Sequence, residues 1–177
     1  QIETAAVLAR LAPSHVRFGS FEFFHYRGDA QRLAQLADFV IDTQFPALGG
    51  VPDRHDSLLH EVIERTARLV AAWQVQGFVH GVMNSDNMSM LSETIDYGPY
   101  GWLEKYDLQW TPNTTDAEGK RYCYGNQPAI AQWNLARLGN ALYPLIRDVE
   151  PLQSSLSAYN QTFHSQWNRI LADKLGL

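Results

Sequence analysis

Apolar side chains recur at intervals of three and four residues in four stretches of the chain, the spacing expected of helices with one buried face. Leu33, Leu36, Ala37 and Val40 form the first stripe, within a helix predicted over about residues 29–43. The other stripes predict helices from 56 or 57 to 77, from 126 to at least 142, and over about 155–174. The chain is therefore expected to be mainly α-helical.

Capping residues set the predicted limits of the middle helices. Asp56 or Ser57 can cap the second helix at its start, and Gly77 is a typical residue for its end. Asn126 is the expected cap of the third helix, because Pro128 then falls in the first turn, where proline is tolerated.

Residues 78–98 follow a different pattern, with short β-prone pieces separated by Asn, Asp, Ser and Gly. Residues 88–91 and 94–95 predict a small hairpin that turns at positions 92 and 93. Residues 97–126 are predicted to be an extended loop, and a loop of that length is usually functional. The aromatic-rich residues 5–27 have no periodicity that assigns them to a helix or a strand.

The predicted hairpin brings polar side chains together. If the chain turns at positions 92 and 93, Asp96 returns opposite Ser89, which places Asp86 and Asn87 within roughly 10 Å of it at about 3.3 Å per strand residue. Two carboxylates and an amide oxygen are hard ligands that suit Mg²⁺, which usually combines one or two carboxylates with substrate phosphates. The hairpin would therefore bring together oxygen atoms of the kind that bind Mg²⁺.

The same residues also have a purely structural interpretation. Asp and Asn often cap turns through their own side chains, and spacing alone favours that interpretation over a metal site. His80 is interpreted as a structural hydrogen-bonding residue, not as a base.

Composition and charge exclude several classes of function. The net charge of −5 argues against a nucleic-acid-binding surface, and no apolar run approaches the length of a membrane span. Cys123 is the only cysteine, so no disulfide forms within the chain, as is usual in a reducing compartment such as the bacterial cytoplasm. The chain starts without methionine and stops after an amphipathic stretch, and it is interpreted as an internal segment of a longer protein.

The central stretch reads HGVMNSDNMS at 80–89 and TIDYGPYG at 94–101. It resembles the signature of the selenoprotein O (YdiU) family, which has Thr at the position of Ser85. AVLARLAPSHVRFG at 6–19 and NQPA at 126–129, followed by Trp-Asn-Leu at 133–135, are similar to two further blocks. The resemblance covers most of the chain and implies a protein-kinase-like fold that binds ATP and transfers AMP to protein hydroxyl groups.

The resemblance also implies a role for each matching residue. Asp86 is expected to be the catalytic proton acceptor. Asn87 and Asp96 are expected to hold Mg²⁺ or Mn²⁺, with Asp96 also reaching the nucleotide. Arg10 and Arg17 are expected to contact the ATP phosphates, for which a guanidinium offers paired donors.

The Gly-rich loop and the phosphate-binding Lys of a kinase N-lobe have no counterpart in the sequence. Residues 1–177 are therefore predicted to form a single kinase-like C-lobe whose small hairpin carries the catalytic and metal residues. Alone, this lobe is expected to be inactive and to leave an apolar surface open to self-association. The parent is expected to act on protein substrates. A phosphotransferase on the same scaffold, or a catalytically silent pseudokinase that acts as a binding module, are the alternatives. A eukaryotic parent would be expected in mitochondria.

Overall fold

The computed structural model describes Ala9 and residues 11–177, apart from the side chain of Pro151. The described part is mainly helical, as predicted, with a single two-stranded sheet. Its helices are α1 (Phe18–Tyr26), α2 (Ala30–Gln44), α3 (Arg54–Gln76), α4 (Gln127–Ile146) and α5 (Val149–Leu175). Among the described helices, none combines the length and the apolar character needed to cross a bilayer.

Helix α3 is the centre of the fold. It packs along α5 and α4, while α1 packs against α4 and α2. Leu59, Val62 and Ile63 on α3 are completely buried, as are Leu135 and Leu138 on α4. The apolar stripes of the sequence therefore meet in one core.

The limits of α2 and α3 lie close to the predicted ones. Asp29 caps α2 by accepting a hydrogen bond from the backbone N–H of Arg32 (3.1 Å). Helix α3 ends at Gly77, whose φ of 66° is a left-handed conformation that suits glycine. The predicted caps at Asp56 or Ser57 are wrong, because the helix already starts at Arg54, after Asp53.

Two other helix starts also differ from the prediction. Asn126 precedes α4 but provides no side-chain cap, because its amide donates to the Lys120 carbonyl (2.9 Å). Helix α5 starts at Val149, six residues before the predicted start, and Asp148 caps it by accepting from the N–H of Glu150 (3.0 Å). Pro151 lies in its first turn, where its missing N–H costs nothing.

The predicted hairpin of residues 88–91 and 94–95 does not form. The sheet instead pairs β1 (Phe78–Val79) with β2 (Gly101–Trp102) in antiparallel register. Residues 88–91 face the chain before α1: the Phe18 N–H donates to the Met88 carbonyl (3.0 Å), and the Met90 N–H donates to the Val16 carbonyl (3.1 Å). On the other edge, the Ser92 N–H donates to the Ser89 carbonyl (3.0 Å), so a local turn occupies the acceptor that the hairpin would use.

The partner strand of that hairpin is also held elsewhere. The Trp73 indole N–H on α3 donates to the hydroxyl of Thr94 (3.0 Å), and Thr66 shares a hydrogen bond with Ser92 (3.0 Å). Residues 97–126 form the predicted long loop, apart from β2 and single 3-10 turns at Thr114–Asp116 and Tyr124–Asn126.

Candidate functional site

Four of the five residues predicted for the site line one open depression on the protein surface. Arg17, Asp86, Asn87 and Asp96 surround a space of about 540 Å³, together with residues of the first turns of α1. Arg10, the fifth predicted residue, lies outside the residues that the structure describes. The structure therefore places the predicted carboxylates and amide together, although the hairpin that was expected to do so is absent.

Asp86 and Asn87 lie in a 3-10 turn, Ser85–Asn87, held by local hydrogen bonds. The Asn84 side chain accepts from the Asp86 N–H (3.1 Å), and the Asn84 carbonyl accepts from the Asn87 N–H (3.0 Å). The Asn87 side-chain nitrogen donates to the Val82 carbonyl (2.9 Å), so its amide oxygen is the atom left to meet a cation. Asn and Asp are suited to such turns, as the structural interpretation predicted.

Asp86 is exposed and lies against the start of α1. Gly19 provides the space: a Cβ built there would collide with Oδ1 of Asp86 and would lie 3.0 Å from its Cγ. Any side chain at position 19 would therefore displace the Asp86 carboxylate.

Asp96 lies on the opposite side of the depression, in a left-handed conformation with a φ of 51°. Its carbonyl accepts from the N–H of Gly98 (3.1 Å), which closes a tight turn. Its Oδ2 atom accepts from Nε (2.7 Å) and lies 2.6 Å from Nη2 of Arg17. Arg17 precedes α1 directly, so this ion pair joins the start of that helix to the Asp96 turn.

His80 has a structural position beneath this turn, as predicted. Its ring is completely buried, and Nε2 lies 2.7 Å from the carbonyl of Ile95, while the Val82 N–H donates to Nδ1 (3.4 Å). This arrangement fits a neutral ring with its proton on Nε2. Burial lowers the pKa of His80, and the nearby Asp96 carboxylate and the Ile95 carbonyl only partly oppose that effect.

Buried amide side chains hold the segment that carries the site. Gln127 on α4 accepts from the His80 N–H (2.9 Å) and donates to the Phe78 carbonyl (2.9 Å). Asn134, seven residues later, donates to the Met83 carbonyl (2.7 Å), and Asn113 donates to the Gly81 carbonyl (3.0 Å). The sequence offers one indication of the roles of Gln127 and Asn134, since amides on the apolar face of a helix must find buried partners.

The set of side chains lining the depression fits a Mg²⁺ ion that keeps water and phosphate ligands. Asp86, Asn87 and Asp96 offer hard oxygen atoms, and Mg²⁺ is usually bound by one or two carboxylates plus substrate phosphates. Within residues 9 and 11–177, no three His, Cys, Asp or Glu side chains are arranged to hold a metal by themselves. Since Arg17 contacts Asp96, a cation there would compete with the guanidinium for that carboxylate.

Comparison with known proteins gives a consistent result. The family model described as "Protein adenylyltransferase SelO" matches residues 1–177. A protein nucleotidyltransferase YdiU of Nitrosospira multiformis is 55% identical over 99% of this chain and 32% of its own length. The proteins of the same name from Aromatoleum aromaticum and Rhodopirellula baltica are 56% and 50% identical, over 98% and 99% of this chain and 34% of their own lengths. The chain thus spans about a third of the length of these relatives.

Proposed function

The chain belongs to the SelO family, and on that premise we propose that the full-length protein carrying it transfers AMP from ATP to hydroxyl side chains of proteins. The observation that supports this most directly is the depression shared by Arg17, Asp86, Asn87 and Asp96. It offers a candidate base, hard oxygen ligands and a cationic group in one open place, which is what in-line phosphoryl chemistry requires.

In this proposal Asp86 accepts the proton of the attacking hydroxyl group. The hydroxyl oxygen forms a bond to the α-phosphorus of ATP, the bond to the bridging α–β oxygen breaks, and pyrophosphate leaves. The exposed position of Asp86 supports the role, because a protein side chain must reach this carboxylate from solvent. Gly19 contributes by leaving space beside the carboxylate.

Asn87 and Asp96 would hold Mg²⁺ or Mn²⁺, which neutralises phosphate charge when bound. Arg17 would move from Asp96 towards a phosphate as the cation takes its place on the carboxylate, and Arg10 would provide a second guanidinium. A guanidinium presents paired N–H donors to two phosphate oxygens, which favours this use of arginine. Because charge stabilisation and positioning provide most of the catalysis in such reactions, few other groups are needed.

Transfer of the terminal phosphate is the second candidate, since the same residues could serve either reaction. The names of the YdiU relatives, which describe nucleotidyl transfer, favour the first candidate. A catalytically silent binding module is the third candidate, and the presence of Asp86, Asn87 and Asp96 in one depression argues against it.

Labelled ATP separates the three candidates. The full-length protein is incubated with a protein extract and Mg²⁺ or Mn²⁺, using ATP labelled at either the α- or the γ-phosphate. AMP transfer labels protein from α-labelled ATP alone, and Asp86→Asn should abolish that signal. Label from γ-labelled ATP alone would support phosphotransfer, and no label from either would support the silent module.

A further inference from the structure

Glu22 on α1 joins the 3-10 turn of the candidate site to helix α4. Its Oε2 accepts a hydrogen bond from the hydroxyl of Ser85 (2.6 Å), and its Oε1 accepts one from Nε of Arg137 (2.7 Å). The Glu22 side chain is only 14% exposed, so both bonds form largely away from water. A carboxylate so placed needs charged or hydrogen-bonding partners, and here each oxygen has one.

Ser85 is the first residue of the turn, and Asp86 and Asn87 complete it. We propose that Glu22 is a positioning residue, which fixes the place of Asp86 and Asn87 against α1 by holding Ser85. This inference rests on the proposed function only in the roles it gives to Asp86 and Asn87.

The other hydrogen bonds near the turn act before it, within it or after it. The amides of Asn113 and Asn134 hold the chain before it, at the Gly81 and Met83 carbonyls. The hydrogen bonds that Asn84 accepts from the N–H groups of Asp86 and Asn87 are local, so they fix the shape of the turn but not its position. The bond from the Phe18 N–H to the Met88 carbonyl fixes the chain after the turn. The Glu22–Ser85 bond is the side-chain link from α1 to the start of the turn.

Arg137 orients the Glu22 carboxylate. Its guanidinium lies over the ring of Trp133, 5.5 Å from the centroid, and over that of Tyr26, 5.4 Å from the centroid. Stacking restricts the plane of the guanidinium and thereby the direction in which Nε donates to Glu22. A hydroxyl donor to a carboxylate makes a short, strong hydrogen bond, which the 2.6 Å distance to Ser85 matches.

Helix α1 therefore contacts both sides of the candidate site. Arg17 at its start contacts Asp96, Gly19 leaves space for Asp86, and Glu22 holds Ser85. The distance between the base and the metal-binding carboxylate then depends on one short helix.

Two serine variants test the proposal while leaving the Glu22–Arg137 ion pair in place. Ser85→Ala removes the hydroxyl, whereas Ser85→Thr keeps it, and Ser157→Ala is a control at an exposed serine of α5. Amide hydrogen exchange of the full-length proteins is followed by mass spectrometry in peptides covering residues 82–88. We expect several-fold faster exchange in Ser85→Ala alone. Equal exchange in all four proteins would overturn the proposal, whether or not any of them transfers AMP.

Kinetics of the same proteins then show the consequence for the reaction. We expect Ser85→Ala to lower kcat by about tenfold or more with KM for ATP changed less than about twofold, because a misplaced base slows the chemical step more than binding. Glu22→Ala should lower kcat similarly, and Ser85→Thr should stay near the wild type. An unchanged kcat in Ser85→Ala would contradict the positioning role. A wild-type protein without AMP transfer would reject the proposed function instead. The hydrogen-exchange comparison would still show whether the Glu22–Ser85 hydrogen bond holds the turn in place.

Discussion

Arg17 and Asp96 are 79 positions apart in sequence, yet Nε and Nη2 of the guanidinium both contact the Oδ2 atom of the carboxylate, at 2.7 and 2.6 Å. Both side chains are about a third exposed, at 30% and 38%. An ion pair that open to water contributes only about 0–1 kcal/mol to folding. The pair therefore contributes little to the stability of the fold, which is compatible with the proposed exchange of Arg17 from Asp96 to a phosphate.

Removing the Asp96 carboxylate should separate activity from stability. In the full-length protein we expect Asp96→Ala to lower transfer by on the order of a hundredfold or more. The cation would lose a carboxylate ligand, and the phosphate charge would be less neutralised. The melting temperature should fall by only a few degrees, because the pair is exposed and alanine strains the left-handed backbone at position 96 by about 1 kcal/mol. Asp173→Ala removes the more exposed carboxylate partner of Arg169 and should leave activity unchanged. Near-normal transfer in Asp96→Ala would mean that Asp96 is only a turn residue.

Gly19→Ala should be harmful to activity but not to folding. Alanine is favoured over glycine within a helix by about 1 kcal/mol, and Gly19 lies inside α1. Its methyl group would nevertheless collide with the Asp86 carboxylate, which can rotate away only by leaving its place. We expect about tenfold or greater loss of transfer at unchanged melting temperature. Gly50→Ala, at a position with no neighbour within 4 Å, is the control, and equal activity of the two variants would contradict the assigned place of Asp86.

Acidification should weaken the fold through His80. Burial lowers the pKa of His80 in the folded state below the ordinary value of 6.5, so below that pH the unfolded chain binds a proton that the folded chain does not. The free energy of unfolding should therefore fall as pH drops below about 6.5, by at most about 1.4 kcal/mol per pH unit from this group.

Urea unfolding of the 177-residue chain between pH 5 and 7 measures that dependence. His80→Gln should flatten it, whereas His164→Gln, at an exposed position of α5, should keep it. Parallel pH profiles for the wild type and His80→Gln would show that the ring titrates normally.

Asn134→Ala should destabilise the fold. Asn134 is completely buried and donates to the Met83 carbonyl, so its loss leaves that backbone acceptor without its partner. A buried polar group left unpaired costs about 1–3 kcal/mol. Asn140→Ala, an exposed residue of the same helix, should change the free energy of unfolding by less than about 0.5 kcal/mol. Equal effects of the two substitutions would argue against the anchoring role of Asn134.

The isolated chain should bind ATP very weakly and transfer nothing. Its depression is open to solvent, whereas tight pockets bury most of the ligand surface. Isothermal titration of the 177-residue chain with ATP and Mg²⁺ is therefore expected to give no micromolar binding. A micromolar dissociation constant would show that the nucleotide site is complete within these residues.

The helices of the core followed from the sequence because their apolar stripes are regular. Helix α1 did not, since it carries aromatic residues on several faces: Phe18 and Phe21 are buried while Phe23 and Tyr26 are largely exposed. The sequence pattern does not predict the early start of α5, because that start depends on the Asp148 cap. A proline at position 151 also suggests a helix break, although proline is tolerated in a first turn.

The proximity of the candidate site residues was predictable from the sequence, but not the way they are brought together. Asp86, Asn87 and Asp96 were expected together at the end of a hairpin, and they line one depression without it. Their true supports are long-range contacts from Arg17, Glu22 and the amides of α4, which no local pattern reveals. A lone glutamate within an aromatic run was the available hint, because such a charge requires a partner.

The contacts of Arg17, Gly19 and Glu22 also fix the spacing of these three residues along the chain. An α-helix turns by about 100° per residue, so inserting one residue between Gly19 and Glu22 would swing the glutamate about 100° away from Ser85 while Arg17 stayed on Asp96. The information in this segment therefore lies in the interval Arg-x-Gly-x-x-Glu as much as in the three residue types. A one-residue insertion or deletion there should therefore be less tolerated than most substitutions at Phe23, the exposed position that directly follows the interval.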